Sequence, residues 1–190
     1  MQPRVLVFAG SVREGSFSEK LANAAAMQLR ILACEVRHIS LGDFPMPLYD
    51  GNLEGKFGVP LQAARFASLV NEHQAIVVVT PEYNQSLPPI LKNTIDWISR
   101  LKGDQAVQRK LFAILSSSTG QLGGARALSD LRKILASAIS AIVLPDQMSL
   151  ANAATAFDGE ARLLMDTVRE QMKTVCENLV IEVRRTGRCQ

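Results

Sequence analysis

The sequence predicts an α/β protein: an open, five-stranded parallel sheet with helices on both faces. Three observations carry this. Short apolar runs alternate with segments of helical periodicity, in the order βαβαβαβαβα. The clearest run, Ala75 to Thr80, is continuous and β-branched, which suits a strand covered on both faces. The stretches after the first, third and fourth runs hold Gly, Ser, Thr and Asn, the residues of loops that meet a ligand. In such sheets ligands sit beyond the carboxyl ends of the strands, where strand order reverses, so these three loops should converge.

Val5–Phe8 reads as the first strand. Leu21, Ala25, Leu29 and Leu32 then recur on one helical face, in a helix expected from Glu19. Cys34–Ile39 is a weaker second strand. From Gly42 to Pro60 the chain carries three prolines and four glycines and reads as a long irregular loop, over a site or at an interface. Leu61–Glu72 is the second helix and Ala75–Thr80 the third strand. Pro88 and Pro89 suit a helix start, and Leu91, Ile95 and Ile98 keep its period to Arg100. Leu111–Leu115 is strand four; Leu128, Leu131 and Leu135 mark the next helix. Ala141–Leu144 is strand five, followed by a loop from Pro145 to Asp158 and a long final helix carrying Leu164, Val168, Met172, Val175 and Leu179.

A length of 190 residues fits one domain spanning 1–190, long enough to bury a full core. The net charge of +3, with acids and bases interspersed, argues against nucleic acid as a partner. No stretch has the ~18 apolar residues of a membrane span. No secretory leader is recognisable, so a cytoplasmic protein is expected. Cys34, Cys176 and Cys189 are far apart and lack metal spacing, which suits a reducing compartment. His38 and His73 have no neighbours in sequence that complete a catalytic or metal set. The basic end, Arg184 to Arg188, reads as a solvated terminus.

The first loop, Ala9-Gly10-Ser11-Val12-Arg13-Glu14-Gly15-Ser16-Phe17-Ser18, combines backbone donors, hydroxyls, a forked cation and a helix start. That is the chemistry of a phosphate site. Gly10 and Gly15 have Walker A spacing, but Ser16 stands where the lysine belongs, which argues against an NTPase. No G-x-G-x-x-G occurs, so the dinucleotide fingerprint is missing. The rival reading is an ordinary strand-to-helix turn with Ser18 as N-cap. Glu14 should point away from any phosphate.

The loop after strand three runs Pro81-Glu82-Tyr83-Asn84-Gln85-Ser86-Leu87-Pro88, and the loop after strand four runs from Ser116 to Arg126. Neither offers a nucleophile–base pair or a carboxylate pair. Both offer amides, hydroxyls and backbone donors, the means of holding a flat, polar-edged ring. A site of this kind points to a cofactor that carries the reaction.

Three spaced motifs then become specific. Gly10-Ser11-x-Arg13-x-x-Ser16-x-Ser18, Pro81-Glu82-Tyr83-Asn84 and Leu91-Lys92-Asn93-x-Ile95-Asp96-Trp97 together resemble the NAD(P)H-dependent FMN reductase family, near its bacterial quinone and chromate reductase branch. Gly123-Gly124-Ala125-Arg126 fits that branch too, and the resemblance runs from about residue 4 to about residue 145. It implies a flavodoxin-like three-layer sandwich with strand order 2-1-3-4-5. Gly10, Ser11, Arg13, Ser16 and Ser18, with the backbone through Phe17, would hold the FMN phosphate. Pro81, Glu82, Tyr83 and Asn84 would wrap the ribityl chain and ring edge, and Ser117 and Gly120 would approach the ring from the other side. No residue of the chain would act as a catalytic acid or base. NADPH or NADH would be the co-substrate, and a small-molecule acceptor such as a quinone, a flavin, an azo compound or a metal oxyanion would follow in ping-pong order. The family also implies a homodimer or homotetramer, with Gly42–Pro60 and the Arg126/Asp130 face as candidate contributors.

Bland readings remain for several of these residues. Trp97, between Ile95 and Ile98, suits packing better than cofactor contact. Lys92 and Asp96 form an i, i+4 pair of a solvated or interfacial helix face. A rival function is an FMN-binding electron carrier without NAD(P)H turnover. The slightly basic chain, with a pI near 8.9, does not fit the acidic surface such carriers present to basic partners.

Overall fold

The computed structural model describes residues 2–186. Its strands are β1 (Arg4–Ala9), β2 (Glu35–Ser40), β3 (Ala75–Pro81), β4 (Leu111–Ser117) and β5 (Ile142–Leu150). All neighbours pair in parallel, in the order β2-β1-β3-β4-β5. This is the flavodoxin-like order, with its switch point between β1 and β3. The helices are α1 (Phe17–Ile31), α2 (Gly51–Phe57), α3 (Leu61–Glu72), α4 (Pro89–Ile98), α5 (Ala125–Ile139) and α6 (Asp166–Arg185).

Strand alternation builds two cores. Val5, Val7, Val77 and Leu115 face one way, onto Leu21, Ala25, Leu29 of α1 and Val175, Leu179 of α6. Leu6, Phe8, Ile76 and Ile114 face the other way, onto Phe66 of α3, Leu91 of α4 and Leu128, Leu131 of α5. Because both faces are covered, β1, β3 and β4 are apolar at nearly every position. The edge strands β2 and β5 alternate with polar residues.

Several boundaries differ from the sequence reading. Leu164, read as part of the final helix, is exposed and precedes it, because α6 begins at Asp166. Strand β5 does not end at Leu144. Its register to β4 jumps from Phe112↔Val143 to Ile114↔Gln147, and the strand resumes after a bulge that holds Pro145. An edge strand tolerates proline there because no partner needs its missing N–H. Helix α1 starts at Phe17 rather than Glu19, with Ser16, not Ser18, at the N-cap position. The basic end is partly helical: Arg184 and Arg185 close α6, where cations complement the helix dipole, and Arg185 pairs with Glu182 at 2.9 Å. Gly187, Arg188 and Cys189 lie outside the described residues.

The stretch from Gly42 to Pro60 contains α2, a helix that buries no residue and so leaves no periodic signal. Its ends make it: Asp50 Oδ1 accepts from the N–H groups of Asn52 and Leu53 at 2.6 and 3.3 Å, and Gly58 closes it at φ 75°. The segment is clasped to α4. Asn93 Nδ2 and Trp97 Nε1 both donate to the Pro47 carbonyl, at 2.9 and 2.7 Å, and Tyr49 N–H donates to Asn93 Oδ1 at 2.8 Å. Arg100 Nε and Tyr49 OH each donate to the Glu54 carboxylate, at 2.9 Å. These bonds, Arg100's first, hold that carboxyl below its ordinary range. Trp97 is fully buried edge-on against Tyr49, as a packing residue.

His38 Nε2 lies 3.1 Å from Glu19 Oε1, and His73, Cys34 and Cys176 are buried. The His73 ring nitrogen Nδ1 lies 2.7 Å from the Leu69 carbonyl, and burial lowers its pKa from 6.5. Cys34 and Cys176 are buried thiols, and burial pushes Cys176 up to about 12. Among the described residues no group of three or more His, Cys, Asp and Glu side chains could hold a metal ion. No helix among them is long and apolar enough to cross a membrane.

Candidate functional site

The loops after β1, β3 and β4 meet at the carboxyl end of the sheet and enclose a cleft of about 160 Å³. Arg13, Ser16, Phe17 and Ser18 form one side, Pro81, Glu82 and Tyr83 a second, and Ser117, Ser118 and Thr119 the third. Larger clefts open elsewhere: about 320 Å³ at the amino end of the sheet beside Arg4 and Lys110, and about 330 Å³ beside Arg37 and Arg65. Size does not choose among them. The smaller cleft alone lies at the switch point of the sheet and gathers hydroxyls from two loops.

Its first wall is built by the start of α1. Ser16 N–H donates to the Arg13 carbonyl at 3.1 Å, which curls the loop, and Gly15 takes φ 67° in that curl. Ser16 Oγ caps no helix N–H; it bonds Ser18 Oγ at 2.7 Å instead. The first turn of α1 therefore keeps its dipole end and N–H groups for an outside acceptor, while both hydroxyls are buried and oriented. Arg13 is exposed and its Nη1 donates only to the Glu14 carbonyl, at 3.2 Å. Glu14 is exposed.

The second wall is a tight hairpin. Tyr83 and Ser86 exchange both backbone hydrogen bonds at 3.0 Å, and Asn84 and Gln85 form its tip at φ 49° and 68°. Positive φ at both central positions is the mark of a type I′ turn. Tyr83 OH lies 3.5 Å from Ser11 Oγ, so the tips of the first and second loops touch. Glu82 turns its carboxylate to the start of α5: Oε2 accepts from the N–H groups of Arg126 and Ala127 at 3.1 and 3.3 Å.

The third wall carries the most informative atom. Ser117 is 2% exposed, and its Oγ has no hydrogen-bond partner. Such an orphan costs about 1–3 kcal/mol and calls for an explanation. At the floor of a polar cleft, a ligand that supplies the partner is one.

Most of the residues that the sequence singled out come together here. Four positions do not line the cleft: Gly10, Ser11, Asn84 and Gly120. Ser11 is buried, with its Oγ accepting from the Arg13 N–H at 3.3 Å. Gly10 N–H donates to the Val79 carbonyl at 2.8 Å, so it offers no donor, and a Cβ at Gly10 would stand 2.8 Å from Leu91 Cδ2. Its glycine is needed for α4 packing. Asn84 points its turn to solvent, and Gly120 is exposed, with its N–H donating to Ser118 Oγ at 3.2 Å. Ser118 and Thr119 line the cleft but were not singled out, although they continue the hydroxyl series after Ser117. Lys92 and Asp96 pair at 2.7 Å as expected. Arg126 and Asp130 do not pair: Arg126 lies 3.6 Å from Glu82, and Asp130 accepts from Ser86 at 2.6 Å and from Lys133 at 3.0 Å.

Comparison with known proteins agrees with this geometry. The family model described as NADPH-dependent FMN reductase matches residues 3–155. The chain is 36% identical over 184 residues to a Pseudomonas aeruginosa protein named NAD(P)H-dependent FMN reductase, covering 96% of each. It is 38% identical over 138 residues to the quinone reductase of Escherichia coli K12, covering 70% of this chain and 69% of that one. The solved structure of FerB from Paracoccus denitrificans, a flavoenzyme NAD(P)H:(acceptor) oxidoreductase, superposes with a TM-score of 0.81 at 22% identity, covering 96% of this chain and 98% of that one. Cleft, fold and sequence thus agree: the chain belongs to the NADPH-dependent FMN reductase family.

Proposed function

We propose that the protein is a single-domain, FMN-dependent NAD(P)H oxidoreductase. It passes hydride equivalents in ping-pong order from NADPH or NADH to a small-molecule acceptor. Quinones lead the acceptors, because a relative 38% identical is named for them; free flavins, azo compounds and metal oxyanions such as chromate are further candidates. Bound FMN supplies the two-electron chemistry.

The chain's own residues bind and orient. Ser16 and Ser18, the first turn of α1 and Arg13 would hold the phosphate, with Ser11 joining them from its place against Tyr83 OH. A cleft of about 160 Å³ suits a phosphate and the chain behind it. Tyr83 and Ser117 would border the ring at the open top of the cleft. The backbone of Pro81–Tyr83 borders its edge. No residue is assigned a proton-transfer role. The observation that carries the reading is the buried, unpartnered Ser117 Oγ on the cleft floor. Exposed Leu48, Phe57 and Leu61 beside α2 favour a homodimer or homotetramer, and a cytoplasmic location is consistent with the buried thiols.

The test is optical. Purified protein reconstituted with FMN should show flavin bands that bleach on anaerobic addition of NADPH or NADH and return on addition of a benzoquinone. Protein that takes up no FMN would sink the proposal. Protein that binds FMN but resists NADPH and NADH would instead be an electron carrier.

A further inference from the structure

We infer that Glu82 is a positioning residue: by capping α5 it sets the loop after β3 against the loop after β4 and fixes the backbone that faces FMN. The inference rests on the FMN-binding reading above and adds a role for a side chain that does not point at the ligand.

Helix α5 cannot cap itself. Its N-cap position is Gly124, at φ 88°, and a Cβ there would stand 2.9 Å from Ser116 Cβ and 3.6 Å from Glu82 Cβ. Close packing thus demands glycine where a Ser or Asp would normally accept from the first N–H groups. Glu82 replaces that missing cap from another loop. Its Oε2 takes the Arg126 and Ala127 N–H groups, and Oε1 lies 3.6 Å from Arg126 Nη1. The Glu82 side chain is only 12% exposed, against 51% for Arg126, so the link is not a loose surface pair.

A second link runs from the other end of the same hairpin. Ser86 Oγ donates to Asp130 Oδ2 at 2.6 Å, one turn further along α5. Between the two links sit Asn84 and Gln85, both at positive φ. The type I′ turn itself sets these angles, which Asn adopts readily and Gln only at some cost. The hairpin that borders the cleft is therefore tied to α5 at both ends. Turning toward α5 also places the carboxylate where the helix dipole and Arg126 meet its charge, although Glu82 itself lines a cleft proposed to hold a dianion.

The experiment compares Glu82→Ala, Glu82→Gln and Ser86→Ala in the full chain. FMN affinity is read by fluorescence quenching, the flavin midpoint potential by spectroelectrochemistry, and FMN-free stability by Tm. Glu82→Ala should raise the FMN Kd by about tenfold or more and shift the potential, since backbone donors at the ligand lose their register. Glu82→Gln, whose amide oxygen can accept the same N–H bonds, should stay within about threefold of wild type. A Glu82→Ala protein with lowered Tm but unchanged Kd and potential would show a merely structural cap and overturn the inference. So would a Gln variant as weak as the Ala variant. Should Glu82→Ala fail to fold, Ser86→Ala decides: its Kd should rise by about threefold or more, and an unchanged value overturns the inference. Wild-type protein that binds no FMN would instead overturn the reading of the site.

Discussion

Gly10, at the end of β1, and Leu91, in the first turn of α4, are in van der Waals contact: a Cβ on Gly10 would meet Leu91 Cδ2 at 2.8 Å. Gly123 is tighter still, because its Cβ would stand 2.8–2.9 Å from the backbone of Ser149, Leu150 and Ala151, at φ 61°. Gly10→Ala should therefore cost about 1–3 kcal/mol, the usual range for overpacking against a side chain that can shift. Gly123→Ala should cost about 3–5 kcal/mol, since backbone must move and a strained φ is added. Urea unfolding of the FMN-free proteins checks the ranking, and equal losses would contradict it.

Arg13 contributes little to the fold, being exposed with one bond to the neighbouring Glu14 carbonyl. Arg13→Ala should leave FMN-free stability within about 0.5 kcal/mol of wild type. Its FMN Kd should rise by about tenfold or more, from the loss of one charge-assisted bond. Arg13→Lys should fall between, because an ammonium lacks the fork. Unchanged flavin retention by Arg13→Ala would remove Arg13 from the phosphate site.

Ser117 should show opposite effects with and without cofactor. Its buried Oγ lacks a partner, so Ser117→Ala should be neutral or stabilising by up to about 1 kcal/mol in FMN-free protein. The same variant should bind FMN more weakly, by about three- to tenfold. Thermal denaturation with and without FMN reads both effects. A variant destabilised in both states would make the hydroxyl part of the core.

Acid should act first through His73. Burial lowers its pKa below 6.5, so the folded protein binds fewer protons than the unfolded chain as pH falls below that value. The stability it contributes is present above pH 6.5 and is lost as pH falls through the lowered folded pKa. His73→Gln keeps a donor for the Leu69 carbonyl but cannot titrate. Its Tm should vary less with pH than wild type between pH 6.5 and the carboxylate range. Parallel curves for the two proteins would refute this.

The parts of the fold that are legible are those whose burial is continuous along the chain. β1, β3 and β4 are covered on both faces, and Val5–Phe8, Ala75–Thr80 and Leu111–Leu115 show it as unbroken apolar runs. The second half of β5 was hidden because an edge strand mixes exposed and buried residues and carries Pro145 at a bulge. Helix α2 was hidden because it buries nothing, and only the Asp50 cap and Gly58 mark it. In the cleft, Ser16 and Ser18 stand out in sequence as hydroxyls at a glycine-bearing helix start, whereas Ser117 is singled out only by the family resemblance. The packing of Gly10 on Leu91 is not legible, because a glycine needed for packing and one needed for a ligand look alike in sequence. The bond of Glu82 to the start of α5 is not legible in sequence. The partners, the N–H groups of Arg126 and Ala127, are backbone atoms 44 and 45 residues away.

Trp97 is the sole tryptophan of the chain, and its indole donates to the Pro47 carbonyl from a fully buried position. The protein thus carries one indole emitter, excitable apart from its two tyrosines and placed in the clasp between α4 and the segment before α2. Loosening of residues 47–49 would let water reach the indole and move its emission to the red. Flavin uptake would instead drain the emission by energy transfer, lowering intensity at constant wavelength. A single label-free spectrum can therefore separate cofactor occupancy from movement of the segment.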